Sequence, residues 1–173
     1  MITNEATERV RGWFHGRLPA DWQAAPPEIT VDREEITVML SVPDVKLGAD
    51  VSDAEAAEAR AGRTKAFREE TREQRIAIAR EAEHRFDRKV AWGVVVGGRS
   101  ELFTHIAVPV MTRLRQPQRT VLDTLVDAGV ARSRSDALAW CVRLVGQHAD
   151  DWLAELRAAM SHVADVRTKG PAN

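Results

Sequence analysis

Between Val110 and Gln147 the hydrophobic period changes from two to about 3.6, the sign of a strand followed directly by helices. The segment reads VMTRLRQPQRTVLDTLVDAGVARSRSDALAWCVRLVGQ. Val110, Thr112 and Leu114 alternate with Met111, Arg113 and Arg115, the mark of a strand with one buried face. Pro109 restricts that strand on one side. Pro117 then stands where a first helical turn tolerates a missing N–H. Val121, Leu122, Leu125 and Val126 follow at helical spacing, and Gly129 stops the run. Either Ser133 or Ser135 caps a second helix with Asp136 in its first turn, and Leu138, Cys141, Val142 and Val145 form its apolar stripe. The reading is strand, helix, turn, helix.

Such a unit does not close on itself. Each helix carries an unburied stripe and a single strand has no ladder partner. The simplest closure is a two-fold dimer whose strands pair antiparallel while four helices share one core. In this order of elements the segment resembles the ribbon-helix-helix family of DNA-binding dimers. VMTRL is similar to the family's ribbon, QRTVLDTLVDAG to its first helix, and SRSDALAWCVRLV to its second.

The resemblance implies a function and a set of residues. Outward side chains of the paired ribbon enter the major groove; here these are Met111, Arg113 and Arg115. The planar fork of Arg113 matches the guanine O6 and N7 acceptors, a contact worth about 1–3 kcal/mol of discrimination. Met111 contributes apolar contact only. The start of the second helix holds a phosphate on free N–H groups, assisted by Ser133 and Ser135. Arg119, Arg132 and Arg134 neutralise the backbone without reading sequence. The implied dimer core is Val110, Thr112, Leu114, Leu122, Leu125, Leu138, Cys141 and Val142.

Charge agrees with a localised duplex contact and excludes a general nucleic-acid coat. The 173-residue chain has a formal net charge of −1, which gives no global attraction to a polyanion. From Met111 to Gln147, however, Arg113, Arg115, Arg119, Arg132, Arg134 and Arg143 face only Asp123, Asp127 and Asp136. With 44% hydrophobic and 29% charged residues the composition is globular. One cysteine allows no internal disulfide and suits a reducing compartment. Cys141 lies on an apolar stripe, so it reads as a small hydrophobe. No signal peptide or spanning segment is evident. Arginine far outnumbers lysine and alanine is abundant, the habit of a high-GC bacterial genome. The expectation is a cytoplasmic protein, nucleoid-associated if it binds DNA.

The preceding residues read as an α+β unit. Val10, Trp13, Phe14 and Leu18 repeat at three and four, predicting a helix over 5–18. Trp13, Phe14 and Trp22 read as core or interface residues and not as base-stacking platforms. EITVDREEITVMLSV alternates about a polar turn, predicting a hairpin over 28–42. Ser52 caps a long charged helix over 53–88 with a predicted break near Gly62. VAWGVVV, GGRS and ELFTHIAV predict a second hairpin over 90–108. GGRS lacks the phosphate-loop pattern and a following helix, so it reads as a turn. Glu69 and Glu70 diverge by about 100° on a helix and do not converge on a ligand. Glu81 and His84 share a face, but a di-iron site needs a second such pair. A last helix is predicted over 150–167, striped by Trp152, Leu156, Met160 and Val163, before a frayed tail KGPAN.

The expected organisation is therefore α+β: a ββαββ unit over 1–108, a ribbon-helix-helix module over 109–148, and an extra helix and tail over 149–173. The expected function is a homodimeric, sequence-specific DNA-binding transcriptional regulator, possible in higher-order assemblies. An unknown protein or small molecule is the expected partner of the N-terminal unit. The alternative is a dimeric scaffold, with an antitoxin as a sub-case, that keeps the fold without touching DNA. No nucleophile constellation, nucleotide fingerprint, metal cluster or cofactor motif points to an enzyme.

Overall fold

The computed structural model describes residues 4–22, 24–48 and 50–169. The chain is mixed α+β and divides between Pro109 and Val110 into two compact units. In the N-terminal unit, helix α1 (Asn4–Arg17) and a 3-10 turn (Ala20–Trp22) lead into a hairpin of β1 (Ala25–Val31) and β2 (Glu35–Ser41). Helices α2 (Asp53–Glu70) and α3 (Arg72–Phe86) follow, then a second hairpin of β3 (Lys89–Val96) and β4 (Arg99–Leu102). The sheet order is β1-β2-β3-β4. Each hairpin is antiparallel, and the central pair β2–β3 is parallel. A parallel pair needs a crossover rather than a tight turn, and α2–α3 supplies it.

One face of that sheet carries the core. Ile36, Val38 and Leu40 of β2 stand in register with Val90, Trp92 and Val94 of β3. Against them pack Val10 and Phe14 of α1, Phe67 of α2, and Ile78 and Ala82 of α3. Trp92 is the centre of an aromatic network. Its ring meets Phe14 at 6.2 Å and Trp22 at 6.4 Å, both edge-to-face. Trp22 in turn meets Phe67 at 5.9 Å. The tryptophans near the N-terminus are thus packing residues. Trp92 Nε1 is buried without a hydrogen-bond partner, a cost accepted for the area the indole buries.

Three local expectations are corrected. The hairpin predicted to begin at residue 28 starts earlier, with Pro26 and Pro27 inside β1 at a register irregularity, which an edge strand tolerates. The long helix breaks at Thr71 and not near Gly62. Thr71 adopts φ −94°, ψ 0°, and its hydroxyl donates to the Phe67 carbonyl at 2.6 Å, competing with the helical ladder. Arg75 then donates through Nε to Thr71 Oγ1 at 3.0 Å and through Nη2 to the Arg68 carbonyl at 2.7 Å. Gly62 remains an ordinary helical residue in open space. The second hairpin is also shorter than expected. Gly97 and Gly98, at φ +55° and +80°, make its two-residue turn, but β4 ends at Leu102. Phe103 N–H donates to the Trp92 carbonyl at 2.7 Å, and Phe103 then packs partly buried against the core.

In the C-terminal unit, α4 (Gln116–Asp127), α5 (Arg134–His148) and α6 (Asp150–Lys169) form, with Ser133 as the cap of α5. Within one chain no strand forms at 110–114; residues 104–115 carry no regular structure. A lone ribbon has no ladder donor or acceptor to pair with. The predicted tail lies, apart from Lys169, outside the described residues. Among the described residues no helix is long and apolar enough to cross a membrane.

Because Phe14 is fully buried between the sheet and its ring neighbours, Phe14→Ala is expected to destabilise the N-terminal unit by about 3–5 kcal/mol. Urea unfolding followed by tryptophan fluorescence checks this, and a loss below about 1 kcal/mol contradicts the packing described.

Candidate nucleic-acid interface

The interface begins with an uncovered segment. Val110 is 87% exposed and Met111 95% exposed, and Thr112, Arg113 and Arg115 are exposed as well. Only Leu114 turns inward, packing on the cluster of Leu122, Ala131 and Ala137 together with Leu125, Leu138 and Cys141. Of the predicted dimer core, Leu122 is buried and Leu114, Leu125, Leu138 and Cys141 are half-buried. Val110, Thr112 and Val142 are not covered within one chain, the last being 65% exposed. The expectation concerns a dimer core, and within one chain these three side chains stay open to solvent.

Two arginines at the start of α4 have structural partners. Arg119 Nη1 donates to the Leu114 carbonyl at 2.8 Å, tying the end of the extended segment to the helix. The Arg115 N–H donates to Gln118 Oε1 at 2.8 Å, which caps the helix and leaves the Arg115 side chain exposed. Arg113 makes no described side-chain hydrogen bond or ion pair and projects freely.

The turn into α5 is fixed by left-handed backbone at Gly129, φ +73°, where the N–H groups of Val130 and Ala131 both reach the Leu125 carbonyl. Ser133 Oγ accepts from the Asp136 N–H at 3.2 Å, and Asp136 Oδ2 accepts from the Arg132 N–H at 3.0 Å. This reciprocal arrangement selects Ser133 over Ser135 as the cap. The first N–H groups of α5, on Arg134 and Ser135, have no intrahelical acceptor and give that end a positive dipole. Ser135 is exposed beside them. Arg132 is 95% exposed, 3.7 Å from Asp136.

Arg134 is held by a partner that sequence reading passed over. Its Nε and Nη2 donate to the two carboxylate oxygens of Asp123 at 2.6 and 2.8 Å, joining α5 to α4. Hydrogen bonding from Arg134 pulls the Asp123 carboxyl below its ordinary range, burial opposes this, and the charges of Arg134 and Arg119 add to the lowering. Eleven residues separate the pair, so no local pattern signals it. Between the extended segment and the helices runs an open groove of about 320 Å³, floored by Leu114, Leu122 and Leu138 and rimmed by Arg119, Arg134 and Ser135. A second groove, about 400 Å³ and wholly apolar, lies over Cys141, Val142, Val145 and Leu153.

Neither acidic candidate of the N-terminal unit gathers into a site. Glu81 is taken by Arg17, whose Nη2 and Nε donate to its two oxygens at 2.6 and 2.7 Å. Glu69 and Glu70 are exposed. Among the described residues no three His, Cys, Asp or Glu side chains converge on a metal position.

Comparison with known proteins places the chain in one family. Residues 8–102 match the Rv1265-like protein N-terminal domain, and residues 115–167 match the Mb1296 C-terminal domain. The Mycobacterium bovis protein Mb1296 and the Mycobacterium tuberculosis proteins Rv1265 and MT1303 are each 61% identical over 159 residues, covering 92% of this chain and 69% of the relative. The chain belongs to the Rv1265-like family. No solved structure matches it. The relatives' names assign no activity, so a functional reading of this Rv1265-like chain rests on its geometry.

The Arg134–Asp123 pair sets a pH dependence. Asp123 has a folded-state pKa below its unfolded value, so its contribution is present above the ordinary carboxylate range and lost as pH falls through the folded value. At neutral pH, Asp123→Asn is expected to melt below the parent, and the gap should close below about pH 4. Thermal unfolding across a pH series checks this; a gap that persists undiminished to about pH 2 removes the pair from the account.

Proposed function

We propose that the chain is a homodimeric DNA-binding protein of ribbon-helix-helix type that acts as a transcriptional regulator. The observation that carries this reading is the uncovered segment 110–114. It is irregular within one chain, its apolar residues Val110 and Met111 face solvent, and Arg113 beside them is free of any described partner.

A second copy can supply the cover. Fully burying a side chain such as valine contributes about 1.5–3 kcal/mol. Val110, Val142 and Val145 stand 87%, 65% and 54% exposed. With both copies counted, covering those exposed fractions gives roughly 6–12 kcal/mol gross, comparable with the roughly 4–15 kcal/mol that association costs. An antiparallel pair of ribbons also satisfies the backbone groups of 110–114, which one chain leaves to water. In such a dimer Met111, Arg113 and Arg115 stand on the outer face. The open N–H groups of Arg134 and Ser135 lie at the helix end suited to a phosphate, and exposed Arg132 adds charge. Asp123 holds Arg134 at that helix end, and Arg119 braces the ribbon.

Arg113→Ala is expected to weaken specific duplex binding by roughly 1–3 kcal/mol while the dimer persists, as read by fluorescence anisotropy on a selected duplex and by sedimentation mass. Parent-like binding by the variant would take Arg113 off the reading surface. A monomer at micromolar concentration overturns the shared ribbon altogether. The scaffold reading is favoured by the net charge of −1 and the apolar Met111 at the ribbon's centre. A stable dimer with no duplex affinity at low salt decides for it, since phosphate contacts are strongest there.

A further inference from the structure

Around the break between α2 and α3 four cations stand close along the chain, with Glu69, Glu70 and Glu73 between them, yet not every one of the cations finds an acid. Lys65, Arg68, Arg72 and Arg75 follow one another at three, four and three residues, the spacing of a single helix stripe. Arg75 is only 6% exposed. Its hydrogen bonds go to a hydroxyl and a carbonyl, Thr71 Oγ1 and Arg68 O, both neutral. Its guanidinium lies 4.9 Å from the centre of the Phe103 ring, and that of Arg68 lies 5.6 Å from the same centre. Among the described residues Arg68 and Arg75 form no ion pair. Arg72 reaches only its chain neighbour Glu73, at 3.9 Å, with side chains 71% and 88% exposed.

The fold alone gives a reason for Arg75, which fills the helix break and satisfies a carbonyl the ladder leaves open. It gives none for its neighbours. A cation taken out of water is stabilised by an adjacent carboxylate, yet two further arginines stand beside it. Burial lowers the Arg75 pKa, and the like charges of Arg68 and Arg72 lower it further. The stacking on Phe103 fixes two forks in place before any ligand arrives. Preformed guanidinium groups with no internal counter-ion suit an external anion, and phosphate matches their planar donors.

We propose that Arg68 and Arg72, with Arg75 locked behind them against Phe103, form a second binding site on the N-terminal unit, for the oxygen atoms of a phosphate group. A nucleic-acid backbone is one source and a free phosphate the other. Lys65, Arg68 and Arg72 are exposed on the two sides of the break, a row better matched to successive backbone phosphates than to one small ion. The backbone source rests on the duplex-binding reading above; the free-phosphate source does not.

Two measurements on the full chain separate them. Affinity for a short random-sequence duplex is followed against salt for the parent and for Arg68→Ala/Arg72→Ala, whose melting midpoint is measured alongside. The double variant is expected to melt like the parent and to flatten the slope of log affinity against log salt by about two. Phe103→Leu keeps every charge, and is expected to weaken binding with the slope intact. Calorimetry with inorganic phosphate and with pyrophosphate forms the second arm. Saturable binding lost in the double variant, with an unchanged duplex slope, assigns the site to a free phosphate. A chain that binds no duplex sinks the dimer-on-DNA reading alone and leaves calorimetry to decide this one. An unchanged slope, or no duplex binding, together with no phosphate binding overturns the site.

Discussion

Among the described residues only Leu122, Ala131 and Ala137 are buried at the centre of the C-terminal unit, whereas the N-terminal unit buries a continuous cluster running from Val10 to Val96. Hydrophobic stabilisation scales with the area removed from water, so these two parts of one chain stand on very different footings. The N-terminal unit is self-sufficient in its packing. The C-terminal unit has well-capped helices and a precise turn, but many of its large apolar side chains, Val110, Met111, Val142, Trp152 and Met160 among them, remain half or more exposed. Local order there comes from hydrogen bonds and one bidentate ion pair. That exposed apolar surface is the physical ground of the dimer proposal.

Polar groups in each unit do structural work that frees or restrains the groups facing solvent. Arg119 is committed to the Leu114 carbonyl and Arg134 to Asp123, so neither is a loose charge. Arg113 and Arg132 keep exposed side chains. In the N-terminal unit the balance is reversed. Arg75 is committed to backbone and hydroxyl groups at the helix break, but among the described residues no carboxylate pairs with it. The same residue type therefore serves as a brace, a cap, an ion-pair partner or an uncompensated cation. What decides is the neighbour each one finds.

Much of the architecture was legible from local pattern. The hairpins announced themselves through strict alternation and through Asp32–Glu34 and Gly97–Gly98. The C-terminal helices showed their starts and stops through Pro117, Gly129 and Ser133. The errors lie where tertiary contacts override local preference. Thr71 breaks a helix that Gly62 was expected to break, because its hydroxyl and Arg75 together take over the ladder's acceptors. The strand expected to run to Val108 ends at Leu102, because Phe103 bonds back to the Trp92 carbonyl and packs inward. The strand expected at 110–114 has no partner in one chain. The Asp123–Arg134 bridge and the Phe103–Arg75 stack join residues too far apart for any spacing rule to pair them.

By itself, then, the sequence determined the class of fold, the order and type of nearly every element, and the concentration of arginine between Met111 and Gln147. These follow from periodicity, capping and turn chemistry, all properties of neighbours along the chain. Only the tertiary structure decided that β2 and β3 pair in parallel, that the crossover helix bends at Thr71, and which arginines are bound and which are free. Those outcomes depend on groups brought together by folding, where burial and the geometry of the partner, and not local preference, set the energy.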